Sequence, residues 1–216
     1  MKSMEKEKYK VEIENIEGSQ PDIFKKDIDS ELIHKLQNVS DPELSIITVS
    51  LNTGRFLEDT IRSVANQTYS NFEHIVIDGG STDGTLDILK KYPYIKWISE
   101  KDSGYPEAFR KGLKMAKGKY VMQCCVSDGY AHKKWFQYCV DALNNNTDIS
   151  LVWGLLQTLS EDCIAGKPYY YPEFLKRPAP QKEKLFNFWL KDLRGFPEGN
   201  ICVRKNVMER CYPHLE

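Results

Sequence analysis

From Leu44 onward the chain repeats one pattern: a short β-branched apolar run, a polar turn, then an amphipathic stretch. LSIITVSL (44–51) is unbroken and apolar, as expected of a strand buried on both faces. RFLEDTIRSVANQ (55–67) puts Phe56, Leu57, Ile61, Val64 and Ala65 on one helical stripe. FEHIVID (72–78) reads as a second buried strand, and STDGTLDILKKY (81–92) as a turn into a helix capped by Ser81 or Asp83. IKWISE (95–100), KYVMQCCVSD (119–128) and DISLVWGLLQTL (148–159) follow as strands. PEAFRKGLKMAKG (106–118) and HKKWFQYCVDALNNN (132–146) lie between them as helices, the first opening on Pro106 and closing at Gly118. Such alternation predicts an α/β fold with a parallel sheet and helices on both faces.

A sheet of this kind places ligands beyond the carboxyl ends of its strands. Those ends read Ser50-Leu51-Asn52, Asp78-Gly79-Gly80-Ser81, Glu100-Lys101-Asp102-Ser103-Gly104 and Ser127-Asp128-Gly129. One loop of acids, amides, hydroxyls and glycines is ordinary turn chemistry. Four at one edge favour a polar-ligand site. No GxGxxG follows the first strand and no GxxxxGK[ST] occurs, so nicotinamide and P-loop chemistry lose their usual supports.

Charge narrows the partners. Lys+Arg 30 against Asp+Glu 31 leaves a net charge of -1, without the basic surplus of a chain built on nucleic-acid attraction. No apolar run approaches the ~20 residues of a membrane span, and MKSMEKEKYKVEIE lacks the apolar core of a signal peptide. The expectation is a cytoplasmic protein. Its six cysteines form no CxxC pair, and adjacent Cys124 and Cys125 would point to opposite sides of a strand. Buried reduced thiols are expected over a site built from Cys124, Cys125, His132 and Cys139. Residues 1–43 read as an extension with a peripheral helix, where Ile28, Leu32, Ile33 and Leu36 fall near helical spacing, or as partly disordered. Residues 44–160 read as the core and 161–216 as a more weakly patterned segment. In that segment FNFWLKDL (186–193) suggests a short helix, and NICVRKNVMERC (200–211) a strand end running into a helix.

The segment LSIITVSLNTGRFLEDTIRSVANQTYSNFEHIVIDGGSTDGTLDIL resembles the opening of family 2 glycosyltransferases, inverting enzymes with the GT-A fold. The IVIDGGSTDGT stretch is specific, as is the helix bearing S-V-x-x-Q before it. EKDSGYPEAFRKGLKMAKGKYVMQCCVSDG stays in register with the family's acid-Asp-x-Gly segment, its A-x-N-x-G helix start and the strand ending in its DxD-type motif. The resemblance implies a GT-A-type, mostly parallel sheet with a Rossmann-like nucleotide-binding half. It also implies a nucleotide-sugar donor, a UDP-sugar favoured, and a glycan or lipid-linked acceptor. Work in polysaccharide or glycoconjugate synthesis follows, at the inner face of a membrane without spanning it.

Carried over by position, Ser50 and Asn52 would line the base and ribose pocket, and Asp78 would meet the nucleobase, where a carboxylate suits the uracil N3–H donor. Gly79, Gly80 and Ser81 would let backbone approach the nucleoside. Asp83 would cap the next helix. Asp102 and Gly104 would meet ribose or sugar, and Arg110 or Lys111 the diphosphate. Ser127 and Asp128 occupy the DxD-type position, with Asp128 both catalytic and the ligand to a Mg²⁺ or Mn²⁺ ion that offsets the leaving diphosphate. Here the sequence departs from the family, because Gly129 stands where a second acid is common.

Inverting transfer also needs a general base. GFPEGNICVRKNVMERC resembles the segment before the family's base motif, and no Glu-Asp pair follows it; Glu161-Asp162 comes too early. Glu198 is the acid in the acceptor-side region and the candidate base or acceptor contact. The expectation is an acceptor side that is incomplete in this chain. Trp135 and Trp153 read as core, whereas Tyr169, Tyr170 and Tyr171 suit an acceptor platform or lid. The halved acid pair and the unassigned base keep a second reading open, a nucleotide-sugar-binding domain with little or no catalysis. A nucleotidyltransferase would need a Gly-rich, basic loop after the first strand, and Asn52-Thr53-Gly54-Arg55 is too short for one.

Overall fold

The computed structural model describes residues 21–154, 156–160, 162, 164–169 and 200–212. Glu198, Glu161, Tyr170, Tyr171, Trp189 and the helix expected over 186–193 lie outside the described residues, as do residues 1–20 of the N-terminal extension.

The elements run α1 (Asp22–Lys25), α2 (Ser30–Gln37), β1 (Leu44–Ser50), α3 (Gly54–Ala65), β2 (Phe72–Asp78), α4 (Thr85–Lys90), β3 (Lys96–Ser99), α5 (Tyr105–Met115), β4 (Tyr120–Gln123) and α6 (Trp135–Asn145). Then come β5 (Leu151–Trp153), β6 (Leu156–Leu159), β7 (Ala165–Tyr169), β8 (Ile201–Arg204) and α7 (Lys205–Cys211). Six strands make one sheet in the order β3-β2-β1-β4-β8-β5. The first four are parallel, and β8 runs antiparallel to both β4 and β5. β1 and β2 are in full register from Leu44↔Phe72 to Ser50↔Asp78.

Both faces of the sheet are covered, which is why β1 and β2 read as unbroken apolar runs. Ile46, Val76, Phe72 and Met122 face one side with Leu57, Ile61 and Val64 of α3, Leu89 of α4, and Phe136 and Leu143 of α6. Ile47, Ile75, Ile77 and Val121 face the other with Ala108, Phe109 and Leu113 of α5, and Met208 of α7 packs there too. α5 lies so close to the sheet that a Cβ on Gly112 would stand 2.5 Å from Ile47 Cγ2. Only glycine fits there.

One sequence expectation changes. The single strand expected over 148–159 is two: β5 joins the central sheet, and β6 leaves it to pair with β7 in a separate two-stranded sheet. Gly154 falls at the break, where a Cβ would stand 2.9 Å from the Trp135 ring. The strand end running into a helix expected over 200–211 is found as β8 and α7, and β8 inserts between β4 and β5 in the central sheet. Cys124, Cys139 and Cys202 are buried free thiols, and burial pushes the Cys124 and Cys139 thiols up.

Candidate functional site

The strand order reverses between β1 and β4: β2 and β3 add on one side of β1, β4 on the other. At such a switch point the loops beyond the carboxyl ends part and leave a crevice. The β1, β2 and β3 ends lie on one side of this switch point, the first wall, and Ser127-Asp128-Gly129 follows β4 on the other.

The first wall is tied by its own hydrogen bonds. Gly79 N donates to Ser50 O (2.9 Å), and Glu100 N to Asp78 O (3.0 Å), prolonging the ladders into the loops. Asn52 turns the chain at φ 52, a left-handed conformation that asparagine tolerates. Its backbone N donates to Ser81 Oγ (2.7 Å), and its side-chain Oδ1 accepts from Thr82 N (2.9 Å). Ser50 Oγ meets Thr53 Oγ1 at 2.8 Å.

Asp78 is fully buried at the centre of this wall. Oδ2 accepts from Gly80 N (3.1 Å), Ser81 N (2.8 Å) and Ser99 Oγ (2.6 Å), and Oδ1 accepts from Ser81 Oγ (2.5 Å). Four donors hold the carboxylate, so its immediate work is to shape the Gly79–Ser81 turn. Asp102 is half-buried and stands over that turn. Its Oδ2 lies 3.3 Å from where a Cβ on Gly79 would sit, and its Oδ1 accepts from Gly104 N (2.9 Å). The carboxylate at the surface of this wall is therefore Asp102.

Asp83 bridges two helix starts. Oδ2 accepts from Gly54 N (2.9 Å) at α3, and Oδ1 from Thr85 N (3.1 Å) at α4; Gly84, with φ 91, is the cap position of α4. The Thr85 hydroxyl and the Gly54 N–H hold the Asp83 carboxyl below its ordinary range. Lys111 lies between Glu100 (2.8 Å) and Glu107 (2.9 Å). Glu107 also reaches back to the Ser103 hydroxyl and N–H, and these bonds draw its carboxyl down to about 2. The start of α5 is thus fixed by a closed charge network beside Asp102 and Gly104.

On the opposite wall, Ser127 has φ 78, a left-handed backbone that costs a non-glycine residue of order 1–3 kcal/mol. Asp128 follows at the exposed tip, and partial desolvation raises its carboxyl pKa. Its backbone N donates to Cys125 O (3.0 Å), and its carbonyl accepts from Thr60 Oγ1 of α3 (2.8 Å). Among the described residues no three His, Cys, Asp or Glu come together as a metal cluster. Asp128 offers a single carboxylate, which fits an ion only if other ligands come from a bound diphosphate and water.

Ser50, Asn52, Asp78, Gly79, Gly80, Ser81, Asp102 and Gly104 thus meet at one side of the switch point, Ser127 and Asp128 follow β4 on the other, and Lys111 is held by Glu100 and Glu107. Sequence reasoning missed Leu51. Its exposed side chain lies at the rim, with Cδ1 3.4 Å from the Gly79 Cβ position. The signal was an apolar run extending one residue past the end of β1.

The model of glycosyl transferase family 2 matches residues 45–210. An uncharacterized glycosyltransferase of Haemophilus influenzae is 34% identical over 187 residues, which cover 81% of this chain and 58% of that protein. The chain therefore spans less than two thirds of that relative's length. Among solved structures, S. aureus TarS 1-349 in complex with UDP-GlcNAc superposes with a TM-score of 0.60 at 16% identity, over 78% of this chain and 47% of that one. Mannosyltransferase PcManGT from Pyrobaculum calidifontis, in complex with GDP-Man and Mn2+, gives 0.56 at 16% identity, over 78% and 46%. These likenesses agree with the sheet order in giving the GT-A fold. With a match across both walls of the crevice and most of the sheet, the chain belongs to glycosyl transferase family 2.

Proposed function

We propose that this chain binds a nucleotide-sugar in the β1/β4 crevice and transfers its sugar, with inversion, to a hydroxyl of a glycan or lipid-linked acceptor. The observation that carries the reading is the convergence of four polar strand ends at the switch point of a family 2 sheet. Asp102 and Leu51 would meet the nucleoside over the Gly79–Ser81 turn, which Asp78 shapes from below. Leu51 supplies apolar surface for a base, and Asp102 an acceptor for base or ribose donors. Asp128 would face the diphosphate and hold a Mg²⁺ or Mn²⁺ ion there. The ion's chemistry would be to offset charge on the leaving diphosphate. In the transfer the acceptor oxygen bonds to the anomeric carbon as the bond to the diphosphate breaks. The electron pair leaves on the diphosphate oxygen, and the acceptor proton passes to a base, for which Glu198 is the candidate. No helix among the described residues is long and apolar enough to cross a membrane.

Calorimetric titration with UDP, GDP and dTDP, each with and without Mn²⁺, tests the reading. Binding of one nucleotide, tightened by Mn²⁺ and weakened by Asp128→Asn, is the expected result; no binding of any of the three refutes it. Donor binding without transfer to any acceptor would favour a binding domain over an enzyme.

A further inference from the structure

The family match begins at residue 45, yet residues before it enter the candidate site. α1 packs on α3 with Ile23 and Phe24 buried. Asn66 ties it down by donating to Lys26 O (2.8 Å) and Ile23 O (3.3 Å), and Arg62 pairs with Asp27 at 3.3 Å. The ring of Phe24 ends against Gly129. A Cβ on Gly129 would stand 2.8 Å from Phe24 Cζ, closer still to Cε1, and 2.8 Å from Ser63 Oγ. Real Cβ atoms do not stand so close. Gly129 is not among the glycines with positive φ, so backbone conformation is not what requires glycine here. The requirement is space, and Phe24 takes it.

From this contact, together with the Thr60 bond to Asp128 O, we infer that Phe24 is a positioning residue for Asp128. Its ring fills the underside of the Ser127–Gly129 loop and excludes a second side chain at 129. Asp128 is thereby left as the loop's single carboxylate, in one fixed place. The missing second acid and the N-terminal arm are two halves of one arrangement. The inference rests on the proposed role of Asp128 at the diphosphate. It carries a consequence for metal binding: one carboxylate holds a divalent ion only together with the nucleotide, so Mn²⁺ alone should not bind measurably.

The test uses the full chain with Phe24→Leu, Phe24→Ala, Gly129→Asp and the Phe24→Ala/Gly129→Asp pair, measured by melting temperature and by titration with Mn²⁺ alone and UDP plus Mn²⁺. Phe24→Leu should stay near the native values. Phe24→Ala should weaken UDP binding in Mn²⁺ about tenfold, the size of effect seen when support is removed behind a metal-binding group. Gly129→Asp alone should melt lower and lose UDP binding. In the pair the melting loss should be less than the sum of the two, and Mn²⁺ should now bind without nucleotide. Additive melting losses, a native-like Gly129→Asp, or Phe24→Ala with unchanged UDP affinity would each overturn the inference. If Phe24→Ala does not fold, Gly129→Ala decides: a lowered melting point with weakened UDP binding supports the contact, and native behaviour refutes it. A native chain that binds no nucleotide defeats the reading of Asp128 itself. Native binding left intact by Phe24→Ala defeats only the positioning role.

Discussion

Asp78 and Asp102 are carboxylates at neighbouring strand ends with different surroundings, and substitution should separate their work. Asp78→Ala removes the acceptor of two hydroxyls and two backbone amides in a fully buried place. Stranding those donors should cost about 3 kcal/mol, which in a chain of this size lowers the melting temperature by roughly 6–12 °C. Asp102→Ala gives up one local bond, to Gly104 N, at a half-buried site. Its melting temperature should stay within about 3 °C of native, while UDP affinity falls roughly tenfold, about 1.4 kcal/mol. Thermal melts beside calorimetric titrations check both. A stable Asp78→Ala with lost UDP affinity would return the nucleobase contact to Asp78. The sequence resemblance names both positions as donor-facing, but it does not show that Ser81, Ser99 and the turn amides close around one of them. That knowledge needs the third dimension, because Ser99 reaches Asp78 across a strand pair and not along the chain.

At the scale of elements, what the sequence reveals is what is local and periodic. β1, α3, β2, α5 and α6 fall within a few residues of their expected ranges, because burial on two faces and a helical apolar stripe are written in consecutive letters. Three features are not so written. β8, itself readable as a strand end, takes its place between β4 and β5, β6 parts from β5 to pair with β7, and Phe24 meets Gly129 across more than a hundred residues. Each depends on contacts between distant segments, on which local periodicity is silent. Gly112 lies between these cases: its place in the helix start is part of the family pattern, but the reason for it is the 2.5 Å approach to Ile47. Gly112→Ala should gain helix propensity of up to about 1 kcal/mol and lose more, since the added methyl also meets Ile77 Cγ1 at 3.3 Å and neither neighbour is the end of a long flexible chain. A net loss of about 1–3 kcal/mol is expected from overpacking, read as a lower urea midpoint at unchanged slope. A midpoint at or above native would mean that α5 can lift from the sheet freely.

For the whole molecule, one buried imidazole gives stability a pH dependence. His74 sits in the middle of β2, fully buried, with Nε2 2.9 Å from Thr48 Oγ1 and no partner for Nδ1 among the described residues. Burial drives its pKa from 6.5 down to about 3. The folded ring therefore stays neutral while the unfolded ring takes up a proton below pH 6.5. Stability is full above that value and is lost as pH falls toward the folded pKa, at about 1.4 kcal/mol per pH unit. At pH 5 the loss should be about 2 kcal/mol relative to pH 7.5. Other groups act elsewhere or in the opposite sense. Glu73, buried and held low by Lys96, Ser45 and the Lys117 N–H, loses its contribution only below its ordinary 4.5. Asp128, raised by desolvation, binds its proton more readily in the folded state and so adds stability as pH falls. Between pH 6.5 and 5 the His74 slope should dominate the unfolding free energy of the entire sheet, since β2 pairs with both β1 and β3 and cannot open alone. His74→Gln keeps a donor or acceptor for Thr48 and removes the titration. Urea unfolding of this variant should be nearly flat from pH 7.5 to 5, where the native protein declines; parallel slopes for the two would show that the imidazole is reached by water in the folded state.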